Sequence, residues 1–160
     1  MNAIIIAAGS GKRIGNHVKN IPKTMVKVNG KSIIEYQLSA LKKAGINEVH
    51  VITGPHSEQL SIKNVTYVKD ENYSKHDILG SLMEAKQYLI DDTLVLYSDI
   101  IFESKIIQKI LNSKEDISIG IDMDWEKKYE ERTEHTKLEA ENVELDKNEK
   151  IIQIKKNIQN

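Results

Sequence analysis

Residues 2–8 read N-A-I-I-I-A-A and break into Gly9-Ser10-Gly11-Lys12-Arg13, with Pro22-Lys23 close behind. No other stretch restricts the fold as much. A short apolar run bounded by glycines is the pattern of a strand buried on both faces, which belongs to a parallel sheet covered by helices. The glycines allow a tight turn and let backbone N–H groups approach a ligand. The cations directly after them favour an anionic one, so strand, glycine loop and cations together describe a phosphate site.

Two standard phosphate motifs do not match. The dinucleotide fingerprint needs G-x-G-x-x-G, but Gly9, Gly11 and Gly15 are spaced one residue too long. The P-loop needs G-x-x-x-x-G-K-[ST]; Gly30-Lys31-Ser32 supplies its end, but Met25 stands where the first glycine belongs. A dinucleotide-binding oxidoreductase domain is disfavoured on that spacing.

Charge points to the same end of the chain. Residues 1–75 carry 11 Lys and Arg against 5 Asp and Glu, while the rest carries 12 against 19. Lys12, Arg13, Lys19, Lys23, Lys27 and Lys31 all precede the first acid, Glu35. Such a cluster draws an anionic small molecule to the N-terminal loop. A nucleic-acid surface is the weaker reading, since aromatics are sparse there and the net charge is −1, so no nucleic-acid partner is expected.

Along the chain, strands and helices alternate. Asn29-Gly30 is a turn signal, and Ser32 to Glu35 reads as a capping box opening a helix to about Ala44, which Gly45 closes. Ile33, Ile34, Gln37, Leu38 and Leu41 share its apolar face. Strands are expected at Glu48 to Thr53, Val65 to Val68, Thr93 to Tyr97 and Ile117 to Ile121. Helices are expected at Ile78 to Leu89, with Leu79, Leu82, Met83, Ala85 and Leu89 inward, and at Ser104 to Leu111. The alternation predicts an α/β fold: three layers, doubly wound around a mostly parallel sheet. Lys137 to Leu145, a turn at Asp146-Lys147-Asn148-Glu149 and Ile151 to Ile154 predict a C-terminal β-hairpin. Ligands of such sheets lie beyond the carboxyl ends of the strands, which puts the Gly9 loop and Asp99 on one edge.

Ala7-Ala8-Gly9-Ser10-Gly11-Lys12-Arg13 followed by Pro22-Lys23 resembles the A-A-G-x-G-x-R…P-K opening of the nucleotidyltransferase family. The resemblance implies that the Ala7 to Gly11 backbone and Lys12 cradle a nucleoside triphosphate. It implies that Arg13 clamps the leaving pyrophosphate, and that Lys23 meets charge on the α-phosphate or holds the acceptor's phosphate. Leu94 to Phe102 looks like the strand that ends in the magnesium-binding aspartate, here Asp99, so Mg²⁺ is the implied cofactor. Asn72 to Leu82 resembles the N-x-x-Y-x-x-T-N-N-x-x-S-L segment of cytidylyltransferases acting on phosphocholine or phosphonates. Tyr73, Ser81 and Leu82 match and His76-Asp77-Ile78 depart. That alignment implies that Gly80 and Ser81 contact the base, with CTP favoured; a helix N-cap is the other reading of Asp77. Asp122-Met123-Asp124-Trp125, Tyr129 and Arg132 look like the same branch, and Trp125 either lines an amine pocket by cation–π attraction or packs the core edge. Glu139 or Glu141 is a further candidate for the metal.

The expected activity is transfer of a nucleoside monophosphate to a small phosphorylated acceptor. Within the class, the alternative is a sugar-1-phosphate acceptor. In another class, the chain is a catalytically incomplete nucleotide-binding domain. None of the five histidines has zinc spacing. Cysteine is absent, no run reaches membrane-span length, and Met1-Asn2-Ala3 enters the strand without a basic leader. Those features predict a cytoplasmic protein with no disulfide, membrane or signal peptide. Residues 1–160 read as one nucleotidyltransferase-like domain. Family members continue beyond the equivalent of Asn160, so the chain is either truncated at its C-terminus or has an incomplete site. An open sheet edge of that kind would favour a homo-oligomer.

Overall fold

The central strand takes its place from residues that have no polar face to offer. Asn2–Ala7 forms β1, and residues 3–8 are all buried. Ala3, Ile5 and Ala7 pack into one core with Ile34, Leu41, Val51, Leu96 and Ile107. Ile4, Ile6 and Ala8 pack into another with Ile52 and Ala85. A strand alternates its side chains across the sheet, so this run has to be covered on both sides.

The computed structural model describes residues 1–9, 21–55, 57–130 and 136–156. They form two compact units, Met1–Ser113 and Lys114–Asn160. In the first unit a small antiparallel pair follows β1, β2 (Lys27–Val28) with β3 (Lys31–Ser32). Asn29 and Gly30, at φ 50° and 78°, make the turn between them, as a two-residue hairpin with both φ positive requires. Helix α1 (Ile33–Lys43) leads to β4 (Val49–Thr53), then β5 (Thr66–Lys69). Helix α2 (Ile78–Met83), β6 (Thr93–Tyr97) and α3 (Ser104–Leu111) complete the unit. The sheet order is β5-β4-β1-β6, and all its pairs are parallel. Cores on both faces make the three layers that the alternation of elements predicts.

Helix α1 is delimited as its sequence dictates. Ser32 donates to Glu35 Oε2 from its backbone N–H at 2.7 Å and from its hydroxyl at 2.6 Å. At the other end Gly45 has φ 86°; its N–H reaches the Lys42 carbonyl while that of Ile46 reaches Leu41, a glycine C-cap with an apolar residue folded back. The Ser32 hydrogen bonds, the side-chain one foremost, hold the Glu35 carboxyl below the usual carboxylate range. A carboxyl acidified by folding adds stability that is present above its unfolded value of about 4.3 and is lost as pH falls through the folded value. Glu35→Ala should therefore melt below the parent at about pH 7, and the gap should narrow as pH falls below the unfolded value of about 4.3. Thermal melts across that range check this; a gap that persists in acid would remove the carboxylate from the cap.

Two expectations are corrected. Helix α2 stops at Met83 rather than Leu89, and a 3-10 turn takes over at Lys86–Tyr88. Tertiary contacts outweigh the helical period here. Ala85 is buried in the second core, the Tyr88 ring stacks on buried His50 at 3.7 Å, and the Tyr88 carbonyl accepts from Asn2 Nδ2 at 2.8 Å. Leu79 and Met83 consequently face solvent, at 62% and 42% exposure. Ile117 to Ile121 forms no strand: it has strand alternation but no ladder partner among the described residues, and Ile117 is 82% exposed.

In the second unit, helix α4 (Trp125–Tyr129) precedes the expected hairpin of β7 (Glu141–Leu145) and β8 (Ile151–Lys156). Asp146 organises its turn by accepting from the N–H groups of Asn148 and Lys150, each at 2.8 Å. No helix among the described residues is long and apolar enough to cross a membrane.

Candidate active site

From β1 the chain runs outward to β4 and β5 on one side and returns to β6 on the other. Neighbouring strands whose connections diverge leave a crevice beyond their carboxyl ends. Here that crevice lies past Ala7 in β1 and Tyr97 in β6, with Ile6 and Tyr97 in register. Ala8 is buried and Gly9 is exposed. The alanine side chains thus belong to the cores, and what Ala7, Ala8 and Gly9 can offer a ligand is backbone. Ser10, Gly11, Lys12 and Arg13, also expected here, lie outside the described residues.

Lys23 reaches the same edge. Buried Pro22, at φ −57°, leads into a 3-10 turn at Lys23–Met25. The turn is closed by Met25 N–H on the Pro22 carbonyl and Val26 N–H on the Lys23 carbonyl. Buried Thr24 roots it, and the Lys23 ammonium stands 3.6 Å from Asp99 Oδ2. The two side chains are 23% and 49% exposed, so they remain open to an incoming ligand. The two charged residues singled out from separate motifs therefore meet. Asp99 does not cap the following helix, since α3 starts at Ser104 with Glu103 at its N-cap. One half-exposed carboxylate is a hard oxygen ligand, and it suits Mg²⁺, which fills the rest of its shell with phosphates and water.

Two more residues hold this edge, and neither carries a local sign of that role in the sequence. Gln37, inside the apolar face of α1, donates from Nε2 to the carbonyls of Tyr97 at 2.7 Å and Ile100 at 2.9 Å. Gly54, the first residue past β4, lies against Ala8, and a Cβ there would come within 2.2 Å of the Ala8 carbonyl oxygen.

The segment expected near the base is built on Asp70, whose side chain is wholly buried. It accepts from Asn72 N–H at 2.9 Å and from the Ser81 hydroxyl at 2.7 Å. His76 Nδ1 lies 3.0 Å from Asp70 and 3.8 Å from Glu84, off the direction of a hydrogen bond. Among the described residues, Asp70, His76 and Glu84 are the group whose possible ligand atoms come within 4.8 Å of one another. Asp77 caps α2 by accepting from Gly80 N–H at 2.7 Å. The Ser81 hydroxyl and the Gly80 amide, both expected to face the nucleotide, are thus engaged within the chain. Gly80 also makes room for His76, whose Cβ would lie 3.0 Å from a Cβ at that position.

In the second unit Trp125 packs edge-on against Tyr129, ring centroids 5.5 Å apart. Asp122 is paired with Lys128 and Asp124 with Lys127. Arg132 lies outside the described residues.

A family model described as a MobA-like NTP transferase domain matches residues 3–123. The CTP:phosphoglutamine cytidylyltransferase of Campylobacter jejuni is 34% identical over 91% of this chain and 62% of its own length. A bifunctional sugar-1-phosphate nucleotidylyltransferase/acetyltransferase of Sulfurisphaera tokodaii is 33% identical over 81% of this chain and 32% of its own. Among solved structures, the CTP:phosphocholine cytidylyltransferase of Streptococcus pneumoniae matches with a TM-score of 0.59 and 34% identity. That match covers 65% of this chain and 49% of the other. The chain thus spans less than two thirds of the length of these relatives.

Proposed function

The chain belongs to the MobA-like NTP transferase family, and on that premise we propose that it is a cytidylyltransferase. It transfers CMP from CTP to a small acceptor carrying a phosphate or phosphonate, of the phosphocholine, aminoalkylphosphonate or phosphoglutamine kind. The observation that carries the reading is the meeting of Lys23 and Asp99, 3.6 Å apart, beyond the diverging strands β1 and β6. An acceptor oxygen attacks the α-phosphorus, the bond to the bridging oxygen breaks, and pyrophosphate leaves. Charge neutralisation and alignment are what such a step asks of a protein.

Lys23 is the group for that charge. Its ammonium carries three donors on a flexible stem, so it can turn from Asp99 to the phosphate oxygens. Gly9 and the alanines before it present backbone to the phosphates, and the family motif gives Lys12 and Arg13 to the same phosphates. Asp99 would hold Mg²⁺, which supplies positive charge to the phosphates. A chain without cysteine suits the reducing cytoplasm for this reaction.

A second reading, transfer to a sugar 1-phosphate, is favoured by the likeness to the Sulfurisphaera enzyme. Pyrophosphate release separates the two. CTP, UTP, dTTP and ATP are each paired with phosphocholine, 2-aminoethylphosphonate, phosphoglutamine and glucose 1-phosphate, with Mg²⁺ present. We expect release with CTP and one of the first three acceptors, and none when Mg²⁺ is withheld. Preference for UTP or dTTP with the sugar phosphate selects the second reading. Binding of CTP without turnover would make the chain a nucleotide-binding module.

A further inference from the structure

We infer that Gln37 is a positioning residue for Asp99: it fixes the turn that carries the metal-binding carboxylate. The inference rests on the reading of Asp99 as the residue that meets the divalent ion. Gln37 is 1% exposed and sits among Ile33, Ile34, Ala40 and Leu41 on the buried face of α1. An apolar side chain would serve packing better there, because a buried amide costs free energy unless its hydrogen bonds are made. The N–H groups of Gln37 go to Tyr97 and Ile100, the carbonyls on either side of Ser98-Asp99. One side-chain nitrogen therefore staples both ends of the short turn from which Asp99 projects.

The same helix also holds Lys23. The N–H of Ile33, one turn before Gln37, donates to the Val26 carbonyl at 3.0 Å, and Val26 N–H in turn closes the Lys23 turn. Helix α1 is thus a common frame: its first residue sets the lysine and its fifth sets the acid. Groups behind a metal ligand that orient it in this way typically govern affinity for the ion.

The test is titration of the CTP-bound protein, without acceptor, with Mn²⁺, read by water-proton relaxation against Mn²⁺ and CTP alone, on the parent, Gln37→Met and Asp99→Asn, with thermal melts alongside. Asp99→Asn should abolish the site, and Gln37→Met should weaken Mn²⁺ about 10-fold or more while the protein remains folded. A residue that only packs would lower the melting temperature and leave Mn²⁺ affinity of the folded protein as in the parent. That outcome, with Asp99→Asn still inactive toward Mn²⁺, overturns the role of Gln37 and leaves the metal reading standing. Unchanged binding in Asp99→Asn overturns the metal reading and this inference with it. If Gln37→Met does not fold, Gln37→Asn, one methylene too short to reach both carbonyls, is measured against the same threshold.

Discussion

Lys23→Ala is expected to lower kcat/KM for the proposed cytidylyl transfer by about 10²- to 10³-fold, the usual loss when one charge-stabilising donor is removed from an active site. The melting temperature should scarcely move. The ammonium is partly exposed and its charged partner Asp99 is half-exposed, and such a pair typically contributes at most about 1 kcal/mol. If Lys23 acts on charge that develops during transfer, the loss falls on kcat; if it only holds the nucleotide, KM rises instead. Lys23→Arg should recover part of the rate, since its planar fork keeps the charge but not the shape. Steady-state kinetics on folded variants decide the matter, and parental turnover in Lys23→Ala would remove the lysine from the chemistry.

Gly54→Ala should be the most damaging single methyl in the first unit. The added carbon would meet the Ala8 oxygen at 2.2 Å and the Ala8 carbonyl carbon at 2.9 Å. Neither strand can yield easily, because β1 is buried on both faces and β4 is buried throughout. Overpacking of this kind typically costs about 1–3 kcal/mol, or a melting temperature lower by roughly 3–5 °C for each kcal/mol at a size between small and mid-sized domains. Whatever shift occurs is delivered to Ala8 and Gly9, at the lip of the crevice, so CTP binding should weaken as well. Gly9→Ala is the control, since a Cβ there meets nothing within 4 Å. Equal stability of the two variants would contradict the close approach of the strands.

What the sequence disclosed is what local chemistry dictates. The isoleucines of β1, the Asn29-Gly30 turn, the Ser32 and Gly45 caps and the hairpin at Asp146 each carry their own signal. The placing of the Gly9 loop and Asp99 on one edge followed from one long-range rule, that such ligands lie at the strand ends; the approach of Lys23 to Asp99 is visible only in the structure. Gln37, Gly54 and Asp70 were hidden because each is defined by a contact outside its own element. Gln37 looks like one more position on a buried helix face, and its acceptors lie 60 and 63 residues on. Asp70 follows an unremarkable short strand, and its partner Ser81 is 11 residues away. Helix α2 is shorter than its sequence suggests, because the apolar period continues through Leu89 whereas the chain turns earlier, where Tyr88 stacks on His50. The Ile117 to Ile121 alternation shows the converse limit: periodicity names a strand only where a neighbour supplies the ladder.

The twofold covering of β1 also sets how the unit breathes. An amide in a central strand with both faces buried exchanges with solvent water only when the whole unit opens, whereas exposed turns and short surface helices exchange through local events. The crevice edge therefore hangs from the last element to come apart. Fluctuations elsewhere in the sheet can come and go without carrying the Ala8 backbone out of register, so warming should erode the periphery well before it blurs the place where the phosphates would rest.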